Sequence, residues 1–161
     1  MKFRSNVPKY SQAVFHPVDP KFPERAKETQ ARGEAVVVVG GSNYGQGSSR
    51  EHAAMVPMYL GLRCVLAASY ARIHRDNLVN FGILPLTFRD PADAKAFVSG
   101  DEVELPDVLR EIQAGDAVTA VNRTKGRTMT CRHGLSARQI DILVAGGLLN
   151  WARKSGGKAG N

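Results

Sequence analysis

Cysteine is scarce in this sequence of 161 residues, which has only Cys64 and Cys131. Neither belongs to a Cys-x-x-Cys pair or stands within ligand spacing of a histidine cluster. A disulfide framework is therefore excluded, as is a cysteine-ligated metal cluster built from this chain alone. Long apolar runs are absent too. No stretch reaches the roughly 18 to 20 residues that a membrane helix needs, and the opening Met1-Lys2-Phe3-Arg4-Ser5-Asn6 lacks the apolar run of a signal peptide. The expectation is a cytoplasmic protein with no membrane segment. Runs of one charge are also missing: 22 Lys and Arg stand against 15 Asp and Glu, a formal net charge of +7. The excess is scattered as single residues, with a loose basic end only at Arg153–Asn161. Scatter of this kind is what a solvated surface shows, and it leaves small anions and RNA as the partner classes to weigh.

Hydrophobic residues make up 43% and charged residues 23% of the chain, near the globular averages, so disordered, collagen-like and coiled-coil chains are excluded. The length suits one domain, 1–161, with no internal repeat and no linker. The first 33 residues are broken by Pro8, Pro17, Pro20 and Pro23, and Phe22–Lys27 can start a short helix ending near Gly33. The run Ala35–Val39 shows no polar alternation and reads as a buried strand closed by Gly40-Gly41. A helix follows from Ser49 to Leu60, interrupted by Pro57, then a buried strand Cys64–Ala68. Next come a helix Ala71–Asn80 with Ile73, Leu78 and Val79 on its apolar side, and a short strand or edge segment Gly82–Phe88, because Pro85 cannot donate to a ladder. Strand, helix, strand, helix, strand makes an α/β unit.

Beyond it the texture changes. Glu102–Leu105, Ala117–Val121 and Thr128–Cys131 are short strands between Gly and Asp turns, an antiparallel composition. A final helix begins at Ser136, whose hydroxyl forms a capping box with Gln139, and places Ile140, Leu143, Val144 and Leu148 on one face.

The chemistry is concentrated in the segment Gly40–His52, GGSNYGQGSSREH. Its glycines let a backbone turn sharply and bring N–H groups against a ligand between a strand end and a helix start. It is not a P-loop, because Gly47 is followed by Ser48 rather than Lys. It is not the dinucleotide fingerprint either, because Arg50 stands where the third glycine belongs. What remains is a pair of hydroxyls and a guanidinium at a helix start. That arrangement suits a carboxylate gripped bidentately by Arg50. A plain structural turn with a serine cap is the other reading of the same spacing.

The runs GGSNYGQGSSREHAAMVPMYLG and SYARIHRDNLVNFGILPLTF resemble the swivel domain of the aconitase superfamily, which includes the small subunits of isopropylmalate and homoaconitate dehydratases. The resemblance is dense over residues 34–90. It implies a swivelling β/β/α domain, with a small parallel or mixed sheet, flanking helices and an antiparallel β portion, in which the ligand loop leaves the sheet after Val39. It further implies a hydro-lyase that moves a hydroxyl on a di- or tricarboxylic acid, such as citrate through cis-aconitate. Ser48, the first serine of GSSRE, matches the family's base. A serine hydroxyl is too weak an acid to ionise unaided at neutral pH, so the loop's N–H groups and Arg50 would have to stabilise the alkoxide. By the same matching, Ser49 and Arg50 bind substrate carboxylate.

The family's 4Fe-4S cluster, a Lewis acid with one open iron site, is implied to be ligated by a partner domain or large subunit, with no metal held by this chain. The opening Lys2-Phe3-Arg4 is similar to the segment whose arginine binds the distal carboxylate of citrate, which makes Arg4 the specificity residue. Aconitases carry an Asp-His pair shortly upstream of that arginine; the sequence has none, so an excised fragment and a small subunit are both expected forms. An isopropylmalate or homoaconitate dehydratase small subunit is the nearest alternative, and a non-catalytic RNA-binding module, motivated by the +7 charge, is a distant one. His52 and His74 read as hydrogen-bonded structural residues, Cys64 and Cys131 as small buried hydrophobes, and Trp151 as core or a docking surface.

Overall fold

The structure is a computed structural model that describes residues 6–47 and 50–156. Two short helices open it, α1 (Val7–Ser11) and α2 (Phe22–Ala31), each with a proline in its first turn, where the missing N–H has no intrahelical partner to lose. The Asn6 side chain caps α1 by accepting from the Lys9 N–H at 3.0 Å. Then come β1 (Val36–Gly40), α3 (His52–Tyr59), β2 (Leu62–Ala67), α4 (Arg72–Asn80) and β3 (Leu84–Phe88). A 3-10 turn at Pro91–Ala96 leads to β4 (Val103–Glu104), α5 (Val108–Ala114), β5 (Ala117–Asn122), β6 (Arg127–Arg132), α6 (Ala137–Val144) and α7 (Leu148–Gly156).

All six strands form one mixed sheet in the order β1-β2-β3-β6-β5-β4. The β1, β2 and β3 strands are parallel, joined by the helical crossovers α3 and α4, and the remaining pairs are antiparallel. The expected α/β unit and antiparallel portion therefore share a sheet. Their joint is narrow, with only Thr87 opposite Arg132 and Phe88 opposite Cys131 in register.

β3 is not an edge. It lies inside the sheet, because Val65 of β2 pairs beside Pro85 on one side while β6 engages only Thr87 and Phe88 on the other. The absent N–H of Pro85 thus falls where the ladder is one-sided.

β2 and β3 are buried on both faces, whereas β5 and β6 bury alternate residues and β1 is half-buried beyond Val36. Cys64, Leu66, Leu86, Phe88, Val118, Met129 and Cys131 form one core under α5, α6 and the 3-10 turn. Val36, Ala54, Leu62, Val65, Leu78 and Ile83 form the other, under α2, α3 and α4. Continuous apolar strands with no polar alternation are what two buried faces require, and each fully buried Leu, Val or Ile contributes about 1.5–3 kcal/mol.

Four local expectations change. α3 starts at His52 rather than Ser49 and runs through Pro57 to Tyr59, ending before Gly61, whose φ is +86°. On α4 the buried stripe is His74, Asn77, Leu78 and Val79, while Ile73 is 52% exposed, so two polar residues take inward places. α5 stands where only turns were expected; Ile112 anchors it in the core, and Glu111 accepts from the Thr119 N–H and hydroxyl, both at 2.8 Å. The final helix is two helices. The Ser136–Gln139 capping box does start α6, but Gly146 and Gly147 adopt φ of +82° and +113° and break it before Leu148. A Cβ on Gly147 would come within 2.9 Å of the Asn80 carbonyl oxygen, so the break also lets α4 approach. Trp151 on α7 is half-buried beneath the Arg138 guanidinium, 5.1 Å from the ring centre.

Candidate functional site

The glycine loop leaves β1 at its carboxyl end and enters α3 at His52, so it lies where open α/β sheets place their ligands. Its first half is fastened to the parallel loop that follows β2. The Ala68 N–H donates to the Gly41 carbonyl at 3.2 Å, the Tyr44 N–H to the Ser69 carbonyl at 2.8 Å, and the Ala71 N–H to the Tyr44 carbonyl at 2.9 Å. The Ser69 hydroxyl accepts from the Asn43 N–H at 2.7 Å. Tyr44 and Tyr70 thereby form an isolated parallel bridge that extends the β1–β2 pairing into the loops.

Beneath this joint the Tyr44 ring meets Tyr70 edge-on at 5.9 Å and His74 at 5.4 Å. The Tyr70 hydroxyl donates toward the carbonyls of Val65 at 2.7 Å and Leu86 at 2.9 Å, locking that ring across β2 and β3. Burial pushes both phenols well above the ordinary tyrosine range, so this floor carries no negative charge at neutral pH. Two glycines fit against it. A Cβ on Gly40 would lie 2.5 Å from the Tyr44 ring, and one on Gly45, whose φ is +84°, would overlap the His74 ring. A cavity of about 320 Å³ opens beside the floor, lined by Tyr10, Tyr44, Gly45, His52, Pro57 and His74.

α4 is itself pinned. The Arg75 guanidinium donates to the carbonyls of His133 at 2.5 Å and Gly134 at 2.8 Å. His133 takes the Leu135 N–H on Nδ1 at 3.0 Å, which leaves its proton on Nε2 to donate to the Gly115 carbonyl at 2.6 Å. The loop's support thus reaches from β2 through α4 to the end of β6.

Of the residues named from the sequence, Arg50 is described: it is exposed two positions ahead of α3, and its carbonyl accepts from the Ala53 N–H at 3.0 Å, opening the first turn. Arg4, Ser48 and Ser49 lie outside the described residues. His74 is buried in the site floor as a structural residue, and His52 is half-buried at the cavity wall. Both cysteines are buried in the core; burial pushes the Cys64 thiol far up and, with the nearby Asp93 carboxylate as a lesser cause, the Cys131 thiol up to about 12. Neither fits as a thiolate ligand of an iron–sulfur cluster. Among the described residues no three His, Cys, Asp or Glu side chains gather as a metal site, and no helix is long and apolar enough to cross a membrane.

Sequence reasoning missed Ser69, Tyr44 and Tyr70. The signal was present in Ser69-Tyr70-Ala71, a polar break directly after a buried strand, but its partner is 26 residues away in the chain.

Known proteins match this arrangement. The family model for the aconitase C-terminal domain matches residues 4–91, just over half of the chain. The mitochondrial aconitate hydratase of Gracilaria gracilis is 42% identical over 131 residues, spanning 80% of this chain and 17% of that protein. The probable mitochondrial aconitate hydratase of Caenorhabditis elegans is 40% identical over 131 residues, with the same 80% and 17% coverage. The chain therefore spans less than a fifth of the length of these relatives. Among solved structures, 3-isopropylmalate dehydratase from Methanocaldococcus jannaschii is similar with a TM-score of 0.76 and 31% identity, covering 96% of this chain and 81% of that one.

Proposed function

Because the chain belongs to the aconitase C-terminal domain family, we propose that it is the substrate-gripping, base-bearing part of a hydro-lyase that isomerises citrate and isocitrate through cis-aconitate. The observation that carries this reading is the loop between β1 and α3, fastened at Asn43 and Tyr44 to the neighbouring parallel loop, with the exposed guanidinium of Arg50 at its far end. A base needs fixed geometry on one side and a carboxylate grip on the other. In this reading Ser48 takes the proton next to the departing hydroxyl, Ser49 and Arg50 hold the adjacent carboxylate, and Arg4 holds the distal one.

The two cysteines are unfit as cluster ligands, so the 4Fe-4S cluster that the family implies belongs to partner domains or a large subunit, and the chain works only when joined to them. The reading carries the cytoplasmic location expected from the sequence, beside relatives whose names place them in mitochondria.

A specific observation favours a second reading. The fold is similar to that of 3-isopropylmalate dehydratase, with a TM-score of 0.76 and 31% identity, and on that likeness the chain would serve as a dehydratase small subunit. One experiment separates the two. The chain is joined to a cluster-bearing partner under anaerobic conditions and offered citrate and 3-isopropylmalate, with the unsaturated acid that each would dehydrate to, cis-aconitate or isopropylmaleate, followed by absorbance. Citrate turnover that collapses in Arg4→Ala supports the first reading. Turnover of 3-isopropylmalate alone supports the second. Under either, Ser48→Ala loses about 10² to 10⁴-fold in kcat, and unchanged turnover in that variant removes Ser48 as the base.

A further inference from the structure

We infer that Ser69, on the loop after β2, is a positioning residue that sets the active geometry of the glycine loop through one side-chain hydrogen bond; the inference rests on the functional reading above. Among the described residues, four hydrogen bonds tie the loop after β1 to the loop after β2. Three run between backbone groups, at 2.8 to 3.2 Å, and do not depend on which side chain stands at 69. The fourth, from the Asn43 N–H to the Ser69 hydroxyl oxygen at 2.7 Å, is the only one supplied by a side chain.

That bond lands on the residue that most needs holding. Asn43 adopts φ of +55°, a left-handed conformation that asparagine tolerates better than other non-glycine residues but that still costs more than an extended or right-handed one. Its carbonyl then accepts from the Gln46 N–H at 3.1 Å, closing the turn that delivers the chain to Gly47. Gly47 follows at φ of +76°, with nothing among the described residues within 4 Å of where its Cβ would be. Ser48 comes next in sequence. The direction in which the chain leaves this turn at Gly47 is therefore set at Asn43, and Asn43 is held by Ser69.

Arg50 is fastened differently. Its carbonyl accepts from the Ala53 N–H just ahead of α3, a backbone bond that does not depend on the side chain at position 69. The two ends of the catalytic segment thus have separate anchors, Ser69 for the base end and α3 for the carboxylate grip. Loss of the Ser69 hydroxyl should misplace the base more than it weakens substrate binding. Misplacement on the order of 1 Å costs about 10²-fold in rate.

The test compares wild type, Ser69→Ala and Ser69→Thr in the enzyme reconstituted with its cluster-bearing partner. Ser69→Ala should lower kcat by about 10 to 10²-fold and leave KM within about threefold. Ser69→Thr, which keeps the hydroxyl at an exposed position, should restore most of the rate. In the chain itself, hydrogen exchange over residues 41–47 should accelerate in Ser69→Ala and not in Ser69→Thr, while Tm falls by no more than about 2–4 °C. Wild-type kcat in Ser69→Ala, an equal rise in KM, or failure of threonine to rescue overturns the positioning role while the reading of the site stands. A wild-type complex that turns over no hydroxy acid overturns that reading, and this inference with it.

Discussion

At the scale of single residues, two glycines of the loop make opposite demands. Gly45 has φ of +84° and would drive a Cβ into the His74 ring; Gly47 has φ of +76° and faces open space. Gly45→Ala therefore combines backbone strain with a clash against a buried side chain and should cost about 1–3 kcal/mol in a urea melt. Gly47→Ala should cost about 1–2 kcal/mol from the backbone alone. Equal costs would show that His74 yields without resistance. Asp101 offers a test in pH. Its carboxylate accepts from the Val98 N–H at 3.0 Å, from Asn122 Nδ2 at 2.7 Å and from Lys125 Nζ at 3.2 Å, and these partners, the Val98 amide first, hold it below the ordinary aspartate range. A depressed carboxylate contributes stability that is present above its unfolded pKa of about 3.9 and lost as pH falls through the folded value. Asp101→Asn should thus be less stable than wild type near neutral pH, with the gap closing as acid denaturation proceeds; a gap independent of pH would remove the charge from the explanation. The glycine loop was legible because it is one contiguous motif between the end of β1 and the start of α3. Ser69 was not, because its role is a contact between two loops that only the parallel pairing of β1 and β2 brings together.

At the scale of elements, apolar runs and turn chemistry were enough to place β1, β2, β5 and β6 and the start of α6. The capping box at Ser136 is a local code, with the Ser136 hydroxyl accepting from the Gln139 N–H at 3.3 Å and the Ser136 N–H donating to Gln139 Oε1 at 3.0 Å. Ser136→Ala should lose about 1 kcal/mol of global stability, measured by denaturant titration with an unchanged m-value. The elements left open or misread were those fixed from outside themselves. β3 read as a short strand or an edge segment because Pro85 lacks an N–H; it is a short strand inside the sheet, and nothing local says that its second neighbour starts only at Thr87. On α4 Leu78 and Val79 were legible as inward, but Ile73 was taken for an inward residue and His74 and Asn77 were not, because they are polar, yet the loop floor and the core claim their positions. α6 and α7 looked continuous because Gly146-Gly147 breaks the helix in order to admit the Asn80 backbone, a neighbour absent from the local sequence.

At the scale of the whole molecule, the parallel half that carries the loop and the antiparallel half beyond it meet at two residue pairs, yet they share a core. Leu86 and Phe88 from one side pack in the same cluster as Val118, Met129 and Cys131 from the other. Arg75 adds polar ties from α4 to the end of β6. Packing of that extent across a narrow hydrogen-bonded seam should make the described body unfold as one unit. The chain's single tryptophan gives this an optical form. Trp151 sits on α7 under Arg138, whereas Tyr44 and Tyr70 make the floor of the site. Tryptophan emission therefore watches the α6–α7 corner, and near-ultraviolet dichroism of the tyrosines watches the loop. Their denaturation midpoints should coincide, and separate midpoints would show two units. On the proposed reading, a carboxylate titrated onto Arg50 would be better followed by heat or by the tyrosine bands than by tryptophan emission, because Tyr44 stands on the loop and Trp151 on α7.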